Sequence, residues 1–147
     1  MSEREFRLRA TIVVGWCMMF MVLLAMFIVD LAKSAITENF GSWAEDMSEG
    51  GLLVMLVIMC IYIFIPMLVV TLRAVWFRYV VIVITILMTL FFMAHEVAHL
   101  LTGDMPFGLR HVLDFSHHIL GIWVIVAATM WAKIPQNDSP VMQATLQ

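Results

Sequence analysis

The chain has 147 residues, of which 63% are hydrophobic and 13% are charged, and its formal net charge at pH 7 is −3. That much apolar surface exceeds what one water-soluble domain of this length can bury, so the composition excludes an ordinary soluble protein and predicts an integral membrane protein embedded in the lipid bilayer. The small and dispersed net charge excludes a basic surface for nucleic acid.

Four apolar runs follow one another along the chain, and each is close to the ~20 residues that a helix needs to cross a bilayer. They cover approximately residues 10–32, 52–72, 79–101 and 112–132. None of them alternates polar and apolar residues with the period of two that is typical of a strand. We therefore predict an all-α integral membrane protein, with residues 1–147 forming a single membrane domain. Its predicted fold is a four-transmembrane-helix bundle of up-down-up-down topology, followed by a polar C-terminal tail over residues 135–147.

The positions of Lys and Arg predict the orientation of these helices, because cytoplasmic loops retain positive charge during membrane insertion. Most basic residues lie before the first run, between the second and third runs, or after the fourth: Arg4, Arg7, Arg9, Arg73, Arg78 and Lys133. Only Lys33 and Arg110 lie on the other side. Both the N and C termini are therefore predicted to be cytoplasmic, in a multi-pass protein that we expect in the inner (cytoplasmic) membrane of a bacterium.

All five histidines of the chain lie where the third run ends and the fourth begins: His95, His99, His111, His117 and His118. Imidazole and charged groups are costly inside a bilayer, so such a cluster predicts a functional site. At 100° per residue, His95 and His99 share one face of the third helix. On the fourth helix, four polar residues fall within an arc of about 120°: His111, Asp114, His117 and His118. Antiparallel packing of these two helices would bring the polar stripes together near the outer membrane face.

Two carboxylate-x-x-His spacings overlap the histidine cluster, namely Glu96 with His99 and Asp114 with His117. In di-iron carboxylate bundles, two helices supply such pairs and two other helices supply one carboxylate each. The candidates for those two further carboxylates are Asp30 and Glu49. A mononuclear site built from His95, His99 and ligands of the fourth helix fits the pattern equally well.

The pattern therefore predicts a non-haem metal site for iron, copper or zinc. The predicted metal ligands are His95, His99, Asp114, His117 and His118. Imidazole nitrogens suit all three metals, whereas the carboxylates favour iron slightly. We expect the site to serve redox chemistry, as in an oxidoreductase, either in this chain alone or in a small subunit that binds other membrane subunits.

Three alternative hypotheses stay open at this point. His95-Glu96-Val97-Ala98-His99 is the HExxH pattern of zinc hydrolases, in which Glu96 would be the catalytic base, although no further motif of the membrane proteases accompanies it. A b-type haem of an electron-transfer subunit needs only one inward histidine from each of two helices. A structural accessory subunit would use the same side chains as a polar network. Enzymatic and non-enzymatic functions are both compatible with the sequence.

Overall fold

A computed structural model describes residues 1–36, 49–102 and 108–135, and within these ranges it contains helices and no strand. The four helices are α1 (Glu3–Ile36), α2 (Glu49–Thr71), α3 (Val75–Thr102) and α4 (Leu109–Ala132). All four are long and apolar enough to cross a membrane. The all-α part of the prediction is confirmed within these ranges, and the helix lengths and compositions agree with a multi-pass membrane protein. The side chain of Glu49 and residues 136–147 of the predicted tail lie outside the described residues.

All four helices begin before the apolar runs that predict them. α1 begins at Glu3 rather than near residue 10, and α3 begins at Val75 rather than near residue 79. The added first turns of α1 are polar, and Arg7 pairs with Glu3 at 2.5 Å along the helix. Hydropathy identifies only the part of a helix that is apolar enough for the hydrocarbon layer. The helix itself continues past that part, because each further turn still satisfies backbone N–H and C=O groups.

α1 and α4 form the centre of the bundle, because α4 packs against α1 and α3 while α1 also packs against α2. Two glycines permit close approach. Gly15 of α1 lies against Val124 of α4, and Gly121 of α4 lies against Thr89 of α3. A Cβ atom at either glycine would collide with the facing side chain. Small residues therefore determine how closely these helices approach, as is common where helices pack inside lipid.

The core lies between the helices and is aromatic in its middle. Trp16 of α1 meets Tyr62 of α2 edge to face, with ring centroids 5.2 Å apart, and Phe20 stacks on the same tyrosine at 6.0 Å. The outward surface of every helix carries large exposed apolar side chains, among them Met21, Leu56, Leu87 and Ile122. An apolar outer surface of this extent requires lipid rather than water around it.

Charged side chains join all four helices at the end of the bundle that holds the N-terminus. Glu5 lies 3.2 Å from Arg9 and 3.3 Å from Arg78. Arg9 donates to the carbonyl of Val69 at 3.2 Å, and Arg78 donates to the carbonyl of Trp131 at 3.0 Å. Both guanidinium groups lie over the Trp131 ring, 5.0 and 5.3 Å from its centroid. These two arginines, which the sequence connects only with orientation, are therefore buried parts of the fold.

Candidate functional site

The predicted site residues lie at the opposite end of the bundle, where α3 ends and α4 begins, which we call the histidine end. Three separate groups are found there. The first is a histidine pair on α3, His95 with His99. The second is a carboxylate group between α3 and α4, and the third is His117 in the core.

The histidine pair is formed by two side chains one turn apart on α3. The Nε2 atoms of His95 and His99 are 3.2 Å apart, and the rings meet edge to face with centroids 4.4 Å apart. Two nitrogen ligands about 2.0–2.1 Å from one metal ion, at tetrahedral or octahedral angles, lie about 2.9–3.4 Å from each other. The same distance fits a hydrogen bond in which one imidazole N–H donates to the other ring. The pair therefore already has the spacing of a two-point metal chelate.

The carboxylate group lies in the interface between α3 and α4. Glu96 Oε1 is 3.5 Å from His111 Nε2, and the Glu96 carboxyl also interacts with Asp114. The Asp114 carboxylate lies 3.8 Å from Nε of Arg110, one turn earlier on α4. Glu96, His111 and Asp114 all have side chains at most 15% exposed. Two carboxylates and one imidazole from neighbouring helices thus share a buried position.

Arg110 connects this carboxylate group to α1. Its guanidinium forms an ion pair with Asp30, near the end of α1, and both side chains are partly buried. The sequence suggests Asp30 as a possible metal ligand, but in the structure its carboxylate is engaged by Arg110. Arg110 therefore lies between two carboxylates, Asp30 and Asp114.

His117 lies in the core beside His118, with the two ring centroids 6.1 Å apart. It is fully buried and hydrogen-bonded through Nε2 to the hydroxyl of Tyr62 on α2. The ring of Phe92 packs on it, with centroids 4.5 Å apart. Neighbouring His118 has two buried ring nitrogens with no hydrogen-bond partner among the described residues. Tyr62 is the residue that sequence analysis missed, and the signal for it is a phenol in an otherwise apolar run, since a buried hydroxyl usually requires a partner.

Within the described residues, no group of three or more His, Cys, Asp or Glu side chains is gathered closely enough to hold a metal ion as it stands. The histidine pair supplies two donors. The nearest charged neighbours of His95 include Asp114, Asp30 and Arg110. A third protein ligand would therefore have to move toward the pair.

A cavity of about 410 Å³ opens beside the histidine pair, between the helices. Its polar lining residues are Asp30, His95, Arg110 and Asp114. The rest of its wall consists of aliphatic, methionine and phenylalanine side chains, including Phe27 and Phe92. A ligand that reaches His95 from this side would meet charged groups at one end and apolar side chains elsewhere.

Comparison with known proteins gives no family for this chain. No family model matches it, and neither does any curated protein or solved structure. The functional argument therefore depends on the chemistry and geometry of its own side chains.

Proposed function

We propose that this chain is a membrane metalloprotein that binds one transition-metal ion, iron, copper or zinc, through His95 and His99. The observation that carries the proposal is the 3.2 Å separation of the two Nε2 atoms. In an α-helix, residues four apart share a face, so a short stretch of α3 provides both ligands without a contribution from a loop. Redox chemistry is the role we assign to this ion, in the chain alone or in a complex with other membrane subunits.

Asp114 is the best candidate for a third ligand. It lines the same cavity as His95. Its carboxylate is as far as 3.8 Å from Nε of Arg110, so this ion pair is looser than the one between Asp30 and Arg110. Two histidines and one carboxylate form the ligand set of non-haem Fe(II) sites and also suit zinc. His118, whose ring nitrogens lack hydrogen-bond partners among the described residues, is the next candidate. His117 has less support, because Tyr62 engages its Nε2 atom.

The alternative functions have less support from the arrangement of side chains. A bis-histidine haem would have to use His118 on α4, because the fully buried His117 already bonds Tyr62. A zinc hydrolase needs Glu96 as a base beside the metal, whereas this carboxylate contacts His111 and Asp114 on the neighbouring helix. A purely structural network would not require two imidazole nitrogens to converge on the exposed side of α3.

The proposed arrangement in the membrane is an up-down-up-down bundle with both termini in the cytoplasm of a bacterium. The start of α1 contacts the ends of α2 and α4, while Asp30 near the end of α1 contacts Arg110 at the start of α4. These contacts support antiparallel neighbours, and the basic residues near the termini support their orientation. The histidine pair would then lie near the outer membrane face.

Metal binding by purified variants tests this function. The wild-type protein, loaded separately with Fe(II), Cu(II) and Zn(II) and freed of excess ion, should retain about one equivalent of at least one metal by elemental analysis. His95→Ala and His99→Ala should each lose most of it. The double variant should lose no more than either single variant, because each change breaks the same coordination shell.

The matched control is His111→Ala, which removes another imidazole of the histidine end but leaves the pair intact. It should retain most of the metal. The metal proposal would be wrong if both single variants of the pair kept full occupancy, or if the wild-type protein retained none of the three ions.

A further inference from the structure

A second cavity adjoins the one beside the histidine pair. α2 and α3 are consecutive in the chain, yet over their described residues they do not pack closely against each other. An apolar groove of about 480 Å³ lies between them, and Val57 of α2 and Phe91 of α3 are among its lining residues. Val54 and Ile58 line both this groove and the cavity of about 410 Å³ that contains His95, Arg110 and Asp114, which we call the polar cavity. A molecule dissolved in the bilayer therefore has a route to the polar groups past these two side chains.

The charges at the polar end select the kind of head group that fits there. Arg110 is paired with Asp30 and lies close to Asp114, so the cavity offers no uncompensated positive charge. A phosphate or carboxylate head group would meet these two carboxylates and would be repelled. A neutral group that accepts hydrogen bonds from Arg110 or His95 meets no such penalty, and a hydroxyl on the same group could also donate to Asp114. The occupant should therefore be a neutral lipid whose head group carries acceptor oxygens, with or without a hydroxyl.

The walls of the cavity favour a flat head group. Phe27 and Phe92 line it together with Met26, Met55 and Met59. Aromatic faces and polarisable thioethers pack well on a planar ring. A volume of about 410 Å³ lies within the roughly 300–1,000 Å³ of typical small-molecule sites. A planar ring with oxygens on its edge and a long apolar tail is the chemistry of a membrane quinone.

We propose that the polar cavity binds the ring of a membrane quinone or quinol, with its isoprenoid tail in the groove between α2 and α3. The ring oxygens of the quinone would accept hydrogen bonds from His95 or Arg110, those of the quinol could also donate to Asp114, and the tail would pass beside Val54 and Ile58. This inference concerns binding, and it deepens the proposed function because His95 and Asp114 are also proposed metal ligands. Its own support is the lining of the two cavities.

The first test blocks the passage between the two cavities. Ubiquinone and menaquinone analogues with short isoprenoid tails are titrated into the full chain in lipid nanodiscs, and binding is measured by calorimetry. The wild-type protein should bind one of them saturably, and Ile58→Trp should weaken that binding about tenfold because the indole fills the passage. The matched control is Leu56→Trp, at a position that is 60% exposed on the same helix and lines neither cavity. It should bind as the wild-type protein does.

Two further measurements separate this inference from the metal proposal and from other lipids. The wild-type protein freed of metal by a chelator should still bind the quinone, because this inference depends on the cavity walls and not on the ion. The inference is overturned if the wild-type protein shows no saturable quinone binding, if both Trp variants lose binding equally, or if diacylglycerol or phosphatidate competes as well as a quinone does. None of these outcomes affects the metal content of the protein.

A photoreactive azidoquinone provides a test on the unaltered chain, in case Ile58→Trp fails to fold. Peptide mapping after illumination should find the label on α2 between residues 51 and 59 or on α3 between residues 87 and 95. A label confined to the outward surfaces of α1 or α4 would instead show that the quinone binds only as part of the surrounding lipid.

Discussion

Glu5 places one negative charge between two buried positive charges, those of Arg9 and Arg78. Its side chain is 15% exposed, whereas those of the two arginines are 7% and 2% exposed. A buried charge is tolerated when it is paired and hydrogen-bonded, and removal of one partner leaves the other uncompensated. Here one carboxylate serves two guanidinium groups, so its loss would affect both.

We predict that Glu5→Ala lowers the free energy of unfolding by about 3–5 kcal/mol, because two arginines stay buried without their counter-charge. Glu3→Ala is the matched control on the same helix, since Glu3 pairs with Arg7 and both side chains are more than three-quarters exposed. Exposed pairs add little to stability, so this control should change it only slightly. Thermal unfolding in detergent, followed by circular dichroism, measures both variants, and equal effects would contradict the prediction.

Gly15 and Gly121 determine the spacing of α1, α3 and α4. In hydrocarbon, helices gain little from burying apolar surface against each other, so close packing and small residues carry more of the association. Gly121 lies against Thr89, whose hydroxyl is held by a 2.8 Å hydrogen bond to the carbonyl of Thr85. Thr89 has a stiff, branched side chain and cannot move aside easily.

Gly121→Ala should destabilise the protein by about 1–3 kcal/mol, since its Cβ would overlap the Thr89 side chain. Adding Thr89→Ala removes the two side-chain atoms closest to the new Cβ at position 121, and it should restore much of the lost stability. The two changes together should therefore cost less than the sum of their separate costs. Denaturation midpoints of the two single variants and the double variant in the same detergent measure this coupling, and simple additivity would show that the two residues do not interact.

The bundle has two polar ends, namely the end that holds Glu5, which we call the charged end, and the histidine end. Glu5, Arg9 and Arg78 tie the four helices together at the first. At the second, the polar groups line a cavity that faces apolar walls. In the proposed orientation, the charged end would be cytoplasmic and would hold the fold together, while the histidine end would face outward and bind the proposed ligands.

Cysteine labelling tests this orientation. In a chain whose own Cys17 and Cys60 are replaced by Ala, a membrane-impermeant maleimide added from outside should modify Ser42→Cys and spare Arg73→Cys. The proposed orientation puts the loop near residue 73 in the cytoplasm, because basic residues favour that side of the membrane. Permeabilised cells are the control, because both positions should then react. The reverse pattern in intact cells would place the histidine end in the cytoplasm.

The sequence alone determines that this chain forms four membrane-spanning helices, because the length and hydropathy of each apolar run leave no other way to satisfy the backbone in lipid. Helical spacing also predicts that His95 and His99 are neighbours, and their Nε2 atoms are 3.2 Å apart. Both inferences depend only on local periodicity. Neither requires knowledge of which helices lie next to each other.

Only the tertiary structure decided which partners the other polar residues have. An arc of about 120° on α4 is wide enough to face two different helices, and His111 meets Glu96 of α3 while His117 meets Tyr62 of α2. In the same way, the sequence relates Arg9 and Arg78 only to charge balance across the membrane, although both are buried against Trp131. Periodicity gives the direction of a side chain from its own helix, but the order in which helices pack determines what it meets.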